Sequence, residues 1–279
     1  MKVNSKLNEI LEKEYKILDH GFIRVVDFMG GDDAIVQSAR VSYGSGTKAV
    51  STDKALINYL VKHKHTSPLE MCEIKLHLKM PIFVARQWIR HRTASVNEYS
   101  ARYSEIKDEF YIPKPERLLK QSKGNKQCSG EELINEKYQE AFLAHTKNMR
   151  DNSMLGYDTF NYMEDGDSLA RELNRINITL NNYTEFYWKI NLHNFLHFVN
   201  LRAHPHAQYE IRVYAEQMLE IAKIWCPFST EAFIEHVKEA KTFSKTQLEV
   251  IKKMIKGEAI SQETSGLSKR DWSELNILK

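Results

Sequence analysis

A chain of 279 residues with 42% hydrophobic residues is long enough to bury a sizeable core, as one elaborated domain or two closely packed ones, and is neither a fibre nor largely disordered. Met1 to Tyr15 carry charges throughout and no continuous apolar stretch, so neither a signal peptide nor a membrane span is expected there, and the expectation is a soluble, cytoplasmic protein. The three cysteines, Cys72, Cys128 and Cys226, are odd in number and lack CxxC spacing, which argues against a disulfide framework or a structural zinc and leaves buried thiols as the default.

The elements read as mixed α and β without internal repeats. Leu7 to Leu11 starts a short amphipathic helix, Phe22 to Phe28 is a strand, and Gly30-Gly31-Asp32 is a turn. Asp33 to Val41 reads as a helix leading into Ser42-Tyr43-Gly44. Asp53 to Lys64 is a second helix, with Leu56, Tyr59, Leu60 and Val61 at helical spacing, ended by the loop His65-Thr66-Ser67-Pro68. Glu73 to Met80 alternates polar and apolar with period two, the pattern of a half-buried strand. Pro81 suits the first position of a helix running to about His91, which puts Gln87 and Arg90 on one face before the chain opens into a loop from Ser95 to Ser104.

Leu119 to Gly130 is polar and reads as a loop. Glu131 to Asp151 reads as a helix whose stripe of Leu133, Ile134, Tyr138, Phe142 and Leu143 is expected in the core. After a Gly/Asp-rich loop, Ser168 is placed to cap a helix through Arg171 and Arg175. Tyr183 to Ile190 is an aromatic strand, and Asn191 caps a helix to about Arg202 on which His193 and His197 lie one turn apart. Ala207 to Trp225 forms a helix stopped by Pro227, Thr230 to Lys241 another, and the polar stretch after Gly257 is expected to be mobile.

The densest chemistry lies in Arg90-His91-Arg92-Thr93-Ala94-Ser95-Val96-Asn97-Glu98-Tyr99-Ser100-Ala101-Arg102. From Arg86 to Arg102 four arginines face one carboxylate, so this segment alone matches the net charge of +3 of the whole chain and would repel itself without an anionic guest. Planar guanidinium forks suit phosphates. Against this stands the ordinary reading of a solvated, salt-bridged turn, which does not combine Arg-His-Arg with Asn, Glu and two serines at irregular spacing. A nuclear-localisation or RNA-binding patch would need a longer Lys/Arg run with exposed aromatics. The histidines His193, His197, His204 and His206 cluster, but His193-Asn194-Phe195-Leu196-His197 lacks the glutamate of the HExxH class and has no evident third ligand, so no metal is expected.

The segment resembles, at every defining position, the RHRxxSxNExSxR signature of the flavin-dependent thymidylate synthases. The likeness extends in order and approximate spacing through Ser42, His65, Pro68, Glu70, Gln87, Arg175, Asn191, His197, Arg202 and His206, most of residues 15 to 235. It departs at His193, where many members of that family have an arginine touching the flavin nucleotide and where a histidine supplies only a pH-dependent charge.

The resemblance implies an α+β fold, mixed helices packed on an antiparallel-rich sheet, assembling as a homotetramer with active sites built from several subunits. The implied organisation is an N-terminal extension at 1–14, a catalytic domain at 15–241 and a polar C-terminal tail at 242–279. The implied reaction is reductive methylation of dUMP to dTMP, with 5,10-methylenetetrahydrofolate as carbon donor, NADPH as reductant and FAD as hydride carrier, and no nucleic-acid or membrane partner. Carried over position by position, Gln87, Arg90, Ser100, Ala101, Arg102, Arg175 and Arg202 would hold the nucleotide, with Arg202 at the uracil edge as the catalytic group. Ser42, His65, Arg90, His91, Arg92, Glu98, Asn191, His193, His197 and His206 would lie on the FAD side.

The chemistry accords with those roles. Adding a nucleophile at uracil C6 throws negative charge onto C5 and O4, which a fixed guanidinium stabilises, and the hard redox step belongs to the flavin. No base is legible beside Ser100, which reads as a positioning residue. The rival readings are a noncatalytic nucleotide- or RNA-binding protein, which would be colourless, and a flavoenzyme acting on another nucleotide.

Overall fold

The alternation read from Glu73 to Met80 is realised as the central strand of an antiparallel sheet, in a computed structural model that describes residues 5–41, 53–124 and 128–275. Two compact units divide the chain, Met1–Phe233 and Ile234–Lys279. In the first, the chain order is α1 (Ser5–Asn8), β1 (Glu14–Ile17), β2 (Gly21–Met29), α2 (Asp32–Val41), α3 (Asp53–Lys62), β3 (Glu73–Pro81), α4 (Ile82–Trp88) and β4 (Ser95–Glu98). It continues through β5 (Leu119–Gln121), β6 (Ser129–Leu133), α5 (Glu136–Asn161), α6 (Arg171–Asn174), β7 (Tyr183–Asn191), α7 (Leu192–Arg202), α8 (Tyr209–Trp225) and α9 (Pro227–Phe233). The fold is α+β, and among the described residues no helix is long and apolar enough to cross a membrane.

The main sheet runs β1-β2-β3-β7-β4, with every neighbouring pair antiparallel. Register follows the pattern of side chains. Ile74, Leu76 and Leu78 stand opposite Ile190, Trp188 and Phe186, and all six are buried, while Lys75 and His77 on the other face lie opposite Lys189 and Tyr187. A slip of one residue would turn that apolar set to solvent, so burial enforces the pairing.

Helices α4, α7 and α8 cover the apolar face. Trp88, fully buried at the end of α4, centres an aromatic cluster, with ring centroids 4.2 Å from Phe198, 5.3 Å from Trp188 and 6.1 Å from Tyr214. Its apolar area anchors the helix whose opposite face carries Arg86 and Gln87.

Several sequence expectations are corrected. The helix after Pro81 ends at Trp88, not near His91, and the His91 amide bonds back to Trp88 O at 3.0 Å, so Arg90 to Arg92 form a turn. Ser95 to Glu98, expected in a loop, pair with β7 as a strand, because the partner supplies what Ser, Asn and Glu lack in strand propensity. The polar stretch after Leu119 likewise folds into the β5–β6 hairpin. Helix α5 starts at Glu136, after Leu133 has ended β6, and the stripe expected in the core is not buried: Leu133, Tyr138 and Phe142 are exposed. Its buried residues are Ser153, Tyr157 and Asn161, near its far end, since nothing in the described unit covers the first turns. Ala170, not Ser168, holds the N-cap position of α6, which stops at Asn174 before a 3-10 turn at Arg175–Asn177. Helix α9 begins directly at Pro227, which opens rather than precedes it.

The second unit carries α10 (Lys245–Ile255), α11 (Gln262–Ser265) and α12 (Lys269–Glu274). Its polar composition conceals a small core of Val250, Leu267 and Leu275, so the stretch after Gly257 is helical where a mobile tail was expected. A capping box between Ser244 and Gln247 starts α10.

Candidate functional site

The apolar face of α4 holds Val84, Ala85 and Trp88 in the core, which turns Gln87 outward and launches the Arg90–Arg92 turn from a fixed point. The turn brings His91 beneath α7, its ring 4.7 Å from Phe198 and 6.3 Å from His197. From the end of α7, Arg202 donates through Nε to His91 Nε2 at 3.0 Å and through an Nη2 hydrogen to Gln87 O at 3.4 Å. A half-buried guanidinium is thus held at two points, with its remaining N–H groups available to a ligand.

This pair is electrostatically one-sided. Burial, then the Arg202 charge, then His197 depress the His91 pKa from 6.5 to about 4, so the ring is neutral at pH 7 and can accept the Arg202 hydrogen bond. Burial also pulls Arg202 below its ordinary value, and a guanidinium remains charged there. Acid should unfasten the pair. Because the folded-state pKa lies below the unfolded value, the unfolded chain binds more protons between 6.5 and about 4, and stability from this group is complete above 6.5 and falls as pH drops through that window. The Tm advantage of the native chain over a His91→Asn variant should therefore shrink on acidification, and an advantage independent of pH would contradict it.

Gln87 Nε2 donates to Gln208 Oε1 at 2.5 Å, and Gln208 Nε2 donates to Glu210 Oε2 at 2.8 Å. Gln87, His91, Arg202 and Gln208 therefore form one connected cluster.

A second group lies at the sheet edge. Glu98, ending β4, accepts from Thr184 Oγ1 at 2.7 Å, and the next residue is fastened by its amide to Glu185 O at 2.8 Å. The chain then turns on Ser100, whose carbonyl accepts from the amides of Tyr103 and Ser104 and whose Oγ accepts from the Arg102 amide at 3.3 Å. Glu98, Ser100, Ala101 and Arg175 line one cavity of about 360 Å³, with Lys107 and Glu185 also on its wall. Arg102 leans on Glu172 at 3.5 Å. Among the described residues no hydrogen bond joins this group to Arg202, so the sequence-expected nucleotide residues are not linked into one network within the chain.

The expected flavin-side residues are spread more widely. Asn191 caps α7, its Oδ1 accepting from the Asn194 amide at 3.0 Å, which leaves Nδ2 as the end able to reach a ligand. His193 and His197 sit one turn apart on α7, the first half-buried and the second exposed. His65 stacks on Tyr59 at 5.8 Å, and the His206 amide donates to His204 Nδ1 at 3.1 Å. Ser42 lies outside the described residues. Arg86, Arg90 and Arg92 are exposed, and among the described residues no carboxylate lies within ion-pair reach of them or of Arg175. Apart from Arg102, the arginines concentrated in this segment therefore have no carboxylate partner among the described residues.

Sequence reasoning missed Thr184, Gln208 and Glu210. For Glu210 a signal existed: it heads the stripe Glu210, Tyr214, Met218, Ile221 and Trp225, all buried along α8, and a carboxylate on an apolar stripe requires partners.

Residues 24–228 match the family defined as thymidylate synthase complementing protein. The flavin-dependent thymidylate synthase of Rickettsia bellii (strain RML369-C) is 57% identical over 98% of this chain and 96% of its own length, and that of Wolbachia pipientis wMel is 58% identical over 97% and 93%. Among solved structures, the UMP/dUMP methylase PolB of Streptomyces cacaoi bound with 5-Br dUMP superposes with a TM-score of 0.69 at 29% identity, covering 80% of this chain and 99% of that one.

Proposed function

Because the chain belongs to the flavin-dependent thymidylate synthase family, we propose that it converts dUMP to dTMP by reductive methylation, taking the carbon from 5,10-methylenetetrahydrofolate and the reducing equivalents from NADPH. The observation that carries this reading is Arg202, a guanidinium held by His91 and by Gln87 O beside Arg86, Arg90 and Arg92, which have no carboxylate partner among the described residues. Catalysis is assigned to residues 15–241, in the cytoplasm.

In this reading Gln87, Arg90, Ser100, Ala101, Arg102 and Arg175 hold the nucleotide. Arg90, Arg102 and Arg175 meet its phosphate, where planar forks and charge complement the dianion. Arg202 faces the uracil and stabilises the negative charge that develops when C6 is attacked. Its prior attachment to His91 means that little reorganisation is required in the transition state.

FAD fits the remaining donors. The exposed guanidiniums of Arg90 and Arg92, without a carboxylate partner among the described residues, suit a diphosphate, and Asn191 Nδ2, His193 and His197 add polar groups along the first turns of α7, with Ser42, His65, His91, His206 and the acceptor Glu98 completing the set. When bound, FAD supplies the hydride chemistry. The chain's own residues bind, orient and screen the substrates.

Assembly as a homotetramer follows the same reading. Nucleotide residues that no hydrogen bond links among the described residues of one chain can meet across protomers. The exposed stripe of Tyr138, Phe142, Met149 and Phe160 on α5 is the apolar surface such a contact would cover. Light scattering of the flavin-loaded protein should report a tetramer.

A cysteine nucleophile is not part of this mechanism. Cys72 and Cys226 are fully buried, and burial, reinforced by the neighbouring Cys72 thiol and the Asp32 charge, pushes the Cys226 thiol well up, away from the thiolate that attack requires. A variant lacking all three cysteines should keep turnover of the native order, and a covalent adduct trapped on any of them would contradict the mechanism.

The decisive assay is oxidation of the NADPH-reduced flavin under anaerobic conditions on addition of dUMP and methylenetetrahydrofolate, with UMP as comparator. Oxidation coupled to dTMP formation supports the reading. A colourless protein that retains RNA, or turnover confined to another nucleotide, overturns it.

A further inference from the structure

Glu210 belongs to no expected site, yet its carboxylate is only 6% exposed and collects three donors. Oε1 accepts from the Tyr111 hydroxyl at 3.1 Å and from Arg117 Nε at 3.3 Å, and Oε2 accepts from Gln208 Nε2 at 2.8 Å. Arg117 in turn lies over the Tyr209 ring, 4.2 Å from its centroid, which holds the guanidinium against the carboxylate.

A carboxylate paired with arginine is an acceptor only, whereas a carboxamide has one end that donates and one that accepts. The NH2 end of Gln208 must therefore face Glu210. Its oxygen then faces Gln87 at 2.5 Å, which obliges Gln87 to turn its own NH2 end inward. Gln87 Oε1 is left without a hydrogen bond among the described residues. Gln208 itself is exposed, so the direction of the chain of amides is set from its buried end.

We infer that Glu210, acting through Gln208, fixes the orientation of the Gln87 carboxamide so that position 87 presents a hydrogen-bond acceptor to the nucleotide and selects for a donor on it. This rests on the proposed role of Gln87 in holding dUMP. Glu210 and Gln208 are positioning residues: neither touches the substrate, and the information they transmit is which end of an amide is exposed. A nucleotide carrying an acceptor at that point would leave two acceptors face to face, and the relay prevents Gln87 from flipping to accommodate it.

The test is a double-substitution cycle on the flavin-loaded enzyme, read as the calorimetric Kd for dUMP. Gln87→Glu places an acceptor against Gln208 Oε1 and should weaken binding about tenfold. Glu210→Gln alone should weaken it less, because the amides can then adopt either direction. Combined, the two should bind dUMP more tightly than Gln87→Glu alone, since a neutral amide at 210 lets Gln208 reverse and donate to the new carboxylate. A merely structural role for Glu210 predicts that the two losses add, and additive losses would overturn the relay.

Gln208→Ala, at an exposed position, should weaken dUMP binding without lowering Tm, which separates orientation from folding. Of the two donors dUMP offers, the ribose 3′-hydroxyl and the N3–H, the one addressed is identified by analogue. Its absence, in 2′,3′-dideoxyUMP or N3-methyl-dUMP, should leave Gln87→Ala without further effect. Native protein that binds no dUMP would refute the proposed function. Binding of dUMP unaffected by Gln87→Ala would refute the inference and the role given to Gln87 while leaving the proposed reaction standing.

Discussion

Replacing Arg202 with alanine is expected to cut dTMP formation on the order of a hundredfold or more while the flavin is still reduced by NADPH. The expectation follows from how this guanidinium is held. His91 Nε2 takes its Nε hydrogen and Gln87 O takes one Nη2 hydrogen, so its position is set before substrate arrives, and its half-burial strengthens whatever charge it faces. Loss of one such preorganised donor typically raises a barrier by ~3–4 kcal/mol. Arg202→Lys keeps the charge but loses the fork that spans His91 and Gln87, and should recover affinity more than turnover. Turnover reduced by less than about tenfold in the alanine variant would show that charge at uracil is stabilised elsewhere.

The largest effect on stability is expected at Trp88. Its side chain is fully buried among Phe186, Trp188, Phe198 and Tyr214, and truncation to alanine opens a cavity that rigid neighbouring rings cannot close, at a cost of about 3–5 kcal/mol. The indole N–H has no hydrogen-bond partner among the described residues. Trp88→Phe therefore removes area but also an unsatisfied donor, and should cost markedly less. Urea unfolding followed by far-ultraviolet circular dichroism distinguishes the two. A similar loss for both would mean that the Nε1 hydrogen matters more than the packing. Because Phe198 packs on both Trp88 and His91, the alanine variant should also lose turnover below its unfolding range.

What could be read beforehand divides along physical lines. The period-two pattern of β3, the aromatic strand β7 and the Asn191 cap of α7 are local signals, and the structure bears them out. The strand β4 is not local: Ser95, Asn97 and Glu98 form a strand only because β7 lies beside them. Helical spacing in Tyr138 and Phe142 pointed to a core stripe, but the spacing could not say what covers that face, and it is exposed. The same limit governs the site. The motif proposes residues by type and spacing, but where Glu98 and Ser100 lie depends on the register of β4 against β7, which no spacing in the sequence encodes.

The place of β4 at the margin of the sheet constrains how the site can be altered. A terminal strand offers unpaired amide and carbonyl groups to any chain that approaches, and proteins limit that hazard with short, polar or charged margins. Here Ser95, Asn97 and Glu98 do so around a single exposed valine, Val96, in a strand of four residues. These short, polar residues thus also guard this margin against strand-to-strand pairing with another chain. Redesign for a bulkier or more apolar ligand that introduces β-branched residues at Ser95 or Asn97 would turn this margin into an adhesive surface. For such variants solubility, rather than catalysis, sets the boundary of what can be selected.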